Sequence, residues 1–325
     1  MRISHFSISA VLCLTSLALA SRAGSAELTL PRDGWTSWQV SAVDGAPDWC
    51  CWGDSGNLRD APRTSCRLDV DNDSYGSRDH ATTDAVRIYA RTVGGTIDRF
   101  RVLSATCPVE TAAPLRDLGR VAEDDSARWL IDLAKQRNDV LPALAINRGD
   151  LARDALAATA RTDAREETRK QAVFWLALVR GREGADITSS VMFNDKSADV
   201  REHAAFALGQ SKAPRAAADL IRLGNTDKNG EVRAQAWFWL AHMEAPEAEN
   251  SIFAALKRET NDDVLERAIL ALSRLPDERA TRALIAAAED RSLSRELRKR
   301  ALFWLAQAES DAAQAYLEQV LTASY

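Results

Sequence analysis

The sequence predicts a mainly α protein: an α-α solenoid of stacked helix pairs, preceded by a small β-rich domain stapled by disulfides. Three observations predict it. One phrase returns five times in the C-terminal half, beginning at Arg169 (RKQAVFWLA), Arg201 (REHAAFALG), Arg233 (RAQAWFWLA), Leu265 (LERAILALS) and Arg298 (RKRALFWLA), with starts 32 or 33 residues apart. A fixed period of this size marks a stacked-repeat architecture. Over residues 27–110 the apolar pattern changes to short alternating runs, and four of the five cysteines lie in that region.

In chain order, residues 1–26 come first. Arg2, an apolar run from Ile8 to Ala20 and the small residues that follow read as a secretory signal peptide cut after Ala26, with Ala20 as the other candidate. The run is short for a membrane span, and no later segment reaches that length either, so no membrane span is expected. The mature protein is read as exported, periplasmic or secreted. The chain has 42 basic and 47 acidic residues; removing Arg2 and Arg22 leaves 40 against 47, a net charge of −7. No basic patch stands out, which argues against nucleic acid as a partner, because that binding rests on lysine and arginine neutralising phosphates.

Residues 27–110 are predicted to form the β-rich domain. Val86, Ile88 and Ala90 alternate with polar neighbours, Gly94-Gly95 supplies a tight turn, and a second run from Thr96 to Ser104 completes a hairpin. Shorter strands are expected over 38–43 and 66–70. Cys50, Cys51, Cys66 and Cys107 are an even set in an exported domain, which predicts two disulfides. A bridge between the adjacent Cys50 and Cys51 is the strained option, so each is expected to reach Cys66 or Cys107. A structural zinc on the four thiolates is the rival, disfavoured because the spacing lacks paired C-x-x-C knuckles.

Residues 111–166 read as a helical cap on the solenoid, with helices expected over 127–135, 140–146 and 150–162. Terminal repeats are atypical because one side faces water. The repeats then fill 167–325, in five units starting near 167, 199, 231, 263 and 296. Ala172, Ala204, Ala236, Ala268 and Ala301 form one column, and Leu176, Leu208, Leu240, Leu272 and Leu305 form another four residues later, on the same helical face. A second helix is expected from about Arg182, Pro214, Pro246, Glu278 and Asp311, with Leu220, Ile252, Leu284 and Leu317 as its core column. Pro in a first turn is tolerated because its missing N–H has no helical partner there. The acids Glu167, Asp199, Glu231, Asp263 and Glu296 stand near helix N-termini, where the macrodipole favours them. The recurrent arginine is expected to bridge to an acid of a neighbouring repeat.

These columns resemble the HEAT repeat family, in the short variety found in phycobilisome lyase-like proteins. The WTSWQV run near Trp35, the Cys50-Cys51-Trp52 triplet and LSATCP at Leu103 resemble a group of exported bacterial HEAT proteins of undefined function. That second resemblance implies a setting, envelope stress or sigma-factor-linked signalling, and no activity. The first implies two enzymatic precedents, a di-iron hydroxylase and the bilin lyases.

Candidates for chemistry are few. Asp69-Val70-Asp71-Asn72-Asp73 begins like a calcium loop, but Ser74 and His80 stand where an EF-hand needs Gly and Glu, and a solvated acidic loop is the favoured reading. The hydroxylase resemblance implies His-Glu metal pairs; Glu202-His203 is reversed and lacks partners, with His80 and His242 the other mature histidines. No phosphate loop, nucleophile elbow or paired-histidine zinc motif occurs. No catalytic residue, metal or cofactor is therefore expected.

The column after the phenylalanine reads Trp175, Ala207, Trp239, Ala271, Trp304, a tryptophan in every second unit. The plainer expectation is core filling, each ring against the alanine of the next repeat. The sharper one is a row of half-exposed rings that contacts a partner. The function expected is a non-catalytic protein-interaction scaffold with a protein partner of unknown identity. The alternative is an enzyme or metal-dependent module related to the hydroxylases or lyases, which stoichiometric bound metal would reveal.

Overall fold

The computed structural model describes residues 28–52, 65–70 and 74–322, without the side chains of Trp52 and residues 74–80. The predicted signal peptide, the acids Asp71 and Asp73, and the side chain of His80 lie outside the described residues.

A four-stranded sheet opens the fold, in the order β6 (Thr96–Ser104), β5 (Ala85–Val93), β1 (Gly34–Ser41), β8 (Leu115–Arg120). The β5/β6 hairpin turns at Gly94-Gly95, β1 is antiparallel to β5, and β8 is parallel to β1. Strands thus continue past residue 110: Trp35 N–H donates to Pro114 O, and β8 adds an edge before the first helix. The run 115–120 has no apolar alternation to announce a strand, since it is an edge and mostly exposed. Two short ribbons complete this part, β2 (Pro47–Trp52) with β4 (Ser74–Thr82) and β3 (Cys66–Arg67) with β7 (Val109–Glu110).

The period of two gives the sheet two unlike faces. Trp38, Val40, Val86, Ile88, Ala90 and Phe100 pack with the helices in one continuous core. Trp35, Tyr89 and Leu103 point the other way and pack with the four cysteines and Leu68 in a second cluster.

Helices α1 (Glu123–Ala134), α2 (Leu141–Ile146) and α3 (Asp150–Thr162) seat the sheet on the array. Trp38 Nε1 donates to Ser126 Oγ at 2.9 Å and its ring meets Trp129 edge-on; Glu123 accepts from Ser41 N, and Arg148 donates to Ala42 O. Arg180 donates to the carbonyls of Leu144, Ala145 and Asn147, closing the end of α2. Burial pulls its guanidinium down to about 10.

Five helix pairs follow: α4 (Glu166–Val179) with α5 (Gly181–Asn194), α6 (Ala198–Gln210) with α7 (Ala216–Thr226), α8 (Gly230–His242) with α9 (Ala248–Leu256), α10 (Asp262–Leu272) with α11 (Asp277–Glu289), and α12 (Arg295–Ala306) with α13 (Asp311–Thr322). The Ala and Leu columns of the first helices are buried throughout, so successive first helices pack closely, more so than the second helices do. Pro214 and Pro246 precede α7 and α9 by two residues, in the entering turn and not in the first helical turn; the caps Arg215 and Glu247 already have helical angles there. Gly184 lets α5 cross α4: a Cβ there would lie 1.9 Å from the Leu176 carbonyl oxygen.

An arginine ladder ties the units together. Arg169 holds Asp195 with Nε and Nη2 (2.7 and 3.0 Å) and donates through Nη1 to Asp163 O. Arg201 repeats this with Asp227 and with Asp195 O, and Arg233 with Glu259 and Asp227 O. The partner is therefore the acid of the turn that closes the arginine's own unit, not an acid of a neighbouring repeat; the neighbour supplies the carbonyl. The side chains are 2% and 4% exposed in the first pair and 4% and 6% in the second. Burial pushes the Asp227 carboxyl up, but Arg201 and the Asn229 N–H outweigh it and hold it below the usual 3.8. Arg233 holds Glu259 below 4.5.

Removing one partner of such a buried pair leaves an uncompensated charge, so Arg201→Ala is expected to cost about 3–5 kcal/mol in a denaturant titration, against under ~1 for Lys299→Ala in its exposed pair. Because both carboxyls bind protons less readily folded than unfolded, their stabilisation is complete above about pH 4.5 and is lost as pH falls through the folded values. Denaturant midpoints measured from pH 7 down to 3 should fall below pH 4.5, and less steeply in Asp227→Asn.

Candidate functional site

The first helices carry a second stripe, turned away from the alanine and leucine columns. Residues i, i+4, i+7 and i+11 share a helical face, which aligns Glu167, Gln171, Phe174 and Leu178 on α4, Asp199, His203, Phe206 and Gln210 on α6, and Glu231, Gln235, Phe238 and His242 on α8. Across the units the phenylalanines and the tryptophans beside them join into one chain of rings. Trp49 of β2 meets Trp175 edge-on at 5.7 Å, Trp175 meets Phe174 at 5.1 Å, and Phe174 stacks on Phe206 at 5.8 Å. Phe206 then meets Trp239 at 4.9 Å, and Trp239 meets Phe238 and His242. Leu270 interrupts the chain on α10, and Phe303 with Trp304 resumes it on α12.

The three predicted tryptophans sit between the two expectations. Each is half-buried. Trp239 lies over Gly209, where an added Cβ would come within 2.9 Å of it, so its inner side is packed against the preceding unit. Trp175 is covered on one side by Trp49, and Trp304 lines a cleft with Leu284 and Ala308. Their outer edges continue the surface formed by half-buried Phe174, Phe206 and Phe238 and by Leu178 and Phe303, which are 43% and 50% exposed. The column on the other side of the phenylalanine is buried from Val173 through Ala205 and Trp237 to Ile269, and Trp237 is almost fully enclosed.

Where the β-rich part meets the array, a cleft of about 710 Å³ opens beside this stripe. Pro47 and Trp49 form one wall, Leu178, Ala213 and Pro214 the other, and Arg182 and Lys212 lie at the rim. Trp49 belongs to both cleft and ring chain. Sequence reading did not single it out, because a tryptophan in a short run beside two cysteines carries no periodic signal.

The cysteines form Cys50–Cys107 and Cys51–Cys66 disulfides, one of the two pairings expected. The two bridges touch, with Cys66 Sγ 3.3 Å from Cys107 Sγ, and Cys51 N–H lies 2.9 Å from Cys66 Sγ. Asp69, first of the calcium-like run, is an anchor and not a solvated acid. It accepts from Trp35 Nε1 (2.9 Å), Thr111 Oγ1 and Ala112 N (both 2.8 Å). Burial raises its carboxyl and these bonds more than reverse that.

His203 lies beside the stacked rings of Phe174 and Phe206, its Nε2 buried without a hydrogen-bond partner. Burial, helped by Lys170, lowers its pKa, so it is neutral at pH 7. Its neighbour Glu202 is pushed up by burial and by Asp199 and Glu231. Among the described residues, the grouping of three possible metal ligands is Cys50, Cys66 and Cys107, whose sulfurs are in the bridges. No helix of the described residues is long and apolar enough to cross a membrane.

HEAT repeats match residues 153–238 and 224–303 of the chain, so the array is a HEAT-repeat solenoid. No curated protein matches. Among solved structures, human deoxyhypusine hydroxylase in complex with glycerol is similar at 24% identity, over 54% of this chain and 66% of that one, with a TM-score of 0.35. This chain thus spans just under two thirds of that protein's length.

The Cys50–Cys107 bridge closes a loop of 57 residues on the face of the sheet away from the helices. Cys107→Ser is expected to cost about 2–5 kcal/mol. Hydrogen exchange followed by mass spectrometry should show faster exchange in β5, β6 and 65–70, with α6 to α10 unchanged.

Proposed function

We propose that this protein is an exported, non-catalytic scaffold that binds a partner protein along the first-helix face of its HEAT repeats. The observation that carries the reading is the unbroken chain of half-buried rings from Trp49 to Trp239, ending on the exposed ring of His242. Tryptophan is enriched where binding energy concentrates, because a large ring gives much contact area for few rotatable bonds. HEAT arrays present long surfaces of this kind because each unit adds a small rotation. Export is supported by the apolar leader at 1–26 and by two disulfides, which persist in oxidising compartments. The resemblance to exported bacterial HEAT proteins supports an envelope setting linked to stress or sigma-factor signalling.

The test is affinity capture from envelope extract of the native cell, with the wild-type protein beside the Trp175→Ala/Trp239→Ala/Trp304→Ala triple variant. Gln235→Arg serves as a second variant that leaves ring packing intact and obstructs the face. One partner retained by the wild type and lost by both variants, with the melting temperature of Gln235→Arg unchanged, is the expected outcome. Equal retention by all three proteins refutes the reading. A sharp fall in melting temperature for each single tryptophan variant assigns the rings to the core instead.

A further inference from the structure

We propose that the face formed by α4, α6 and α8 takes an extended, polyproline-type segment of the partner that carries a lysine or arginine at every third residue. The proposal rests on the scaffold reading above and names the chemistry of what binds there.

Two parallel rows run across these three helices. One is the chain of rings. The other is a row of exposed carboxylates in the first turns, Glu167, Asp199 and Glu231, each seven residues before the phenylalanine of its helix. Glu202 adds a fourth carboxylate beside the row, where burial and the flanking Asp199 and Glu231 hold its carboxyl above the usual range. An incoming cation would relieve that. The cations that approach the row are Lys170 of α4 itself, 2.8 Å from Glu167, and Arg267 of the packed α10, 2.9 Å from Glu231. The arginines of the same helices, Arg169, Arg201 and Arg233, are turned inward and held in the ladder. His203 between the rows is neutral at pH 7. Beyond α8, Arg267, Lys299 and Arg300 enter the face and the ring chain breaks at Leu270. Acid excess and aromatic continuity therefore coincide on the first three units.

Carboxylates beside ring edges and faces suit one side-chain class. The alkyl stem of lysine or arginine lies on aromatic surface while its head reaches an acid, and a guanidinium is attracted to the ring face itself. The protein uses such a contact internally, with Arg222 Cζ 4.3 Å from the Phe193 ring centre.

The spacing follows from the repeat. Packed helices stand roughly 8–10 Å apart, which sets the interval between successive carboxylates. A polyproline helix has three residues per turn and a rise of about 3.1 Å, so every third side chain returns to the same side after about 9 Å, in step with the units. A β-strand repeats its side every second residue, at about 6.8 Å, and falls out of step.

Tryptophan fluorescence titration of the oxidised protein with synthetic peptides tests this. One peptide is four copies of Arg-Pro-Pro, and a second has the same composition with its arginines in one block. The third has leucine and the fourth glutamate in place of arginine. The in-step arginine peptide should bind about ten-fold tighter than the blocked one and lose affinity as salt rises, while the glutamate peptide does not bind. Glu167→Gln/Asp199→Asn/Glu231→Gln, all on the surface, should remove that ten-fold advantage while the protein keeps its helical circular dichroism and a melting temperature lower by only a few degrees, the loss of three first-turn acids. Equal binding of the in-step and blocked peptides overturns the spacing. Equal or tighter binding of the leucine peptide overturns the cationic specificity but leaves an apolar docking face, and the scaffold reading with it. Failure of every peptide, with a captured partner still lost by the tryptophan variants, overturns this proposal alone.

Discussion

A guanidinium that grips two turns at once sets the geometry of the array. Arg169, Arg201 and Arg233 each bind a carboxylate in the turn that ends their own unit and a carbonyl in the turn that precedes their helix. Asp195 and Asp227 serve two rungs, giving the side chain to one arginine and the carbonyl to the next. Fork-shaped, bidentate pairing fixes direction as well as distance, so each rung determines where the next helix begins. Leu265 breaks the series, and Arg298 on α12 keeps only the carbonyl contact, to Leu293 O. Asn261 and Ser294 cap α10 and α12 as Asn229 caps α8, their side chains accepting from Val264, Leu297 and Val232 N–H.

The β sheet depends on this array and also completes it. Its inner face shares one apolar core with α1 to α3, so helices and sheet do not have separate interiors. Its outer face would meet water across Trp35, Tyr89 and Leu103, and the two touching disulfides with Leu68, Val109 and Ala113 cover it. Asp69 locks that cover by joining Trp35 to the Thr111 hydroxyl and the Ala112 N–H. A cap this small buries little apolar area, and cross-links offset that.

The β2/β4 ribbon delivers Trp49 to the first unit of the array, so the ring chain begins outside the repeats. Packing on one side and openness on the other give these rings a fixed orientation before anything binds, which lowers the entropy cost of association. The neighbouring carboxylates give the same face a sign of charge, and with it a preference among partners.

The helix pairs, their order and their buried columns were legible because a repeat states the same packing requirement five times, and Ala172 or Leu176 has the same environment in every copy. The first-turn acids and the set of four cysteines were legible for the same local reason. The partner of each ladder arginine was not, although Asp195, Asp227 and Glu259 all stand 26 residues on, because which of several acids meets a guanidinium depends on how two turns stack. Strand β8 was hidden because an exposed edge needs no alternation. Whether Trp175, Trp239 and Trp304 were core or surface had no answer in their spacing. One helix position can face a neighbour on one side and solvent on the other, and only the packing of Gly209, Phe206 and Trp49 against those rings decided how much of each remained open.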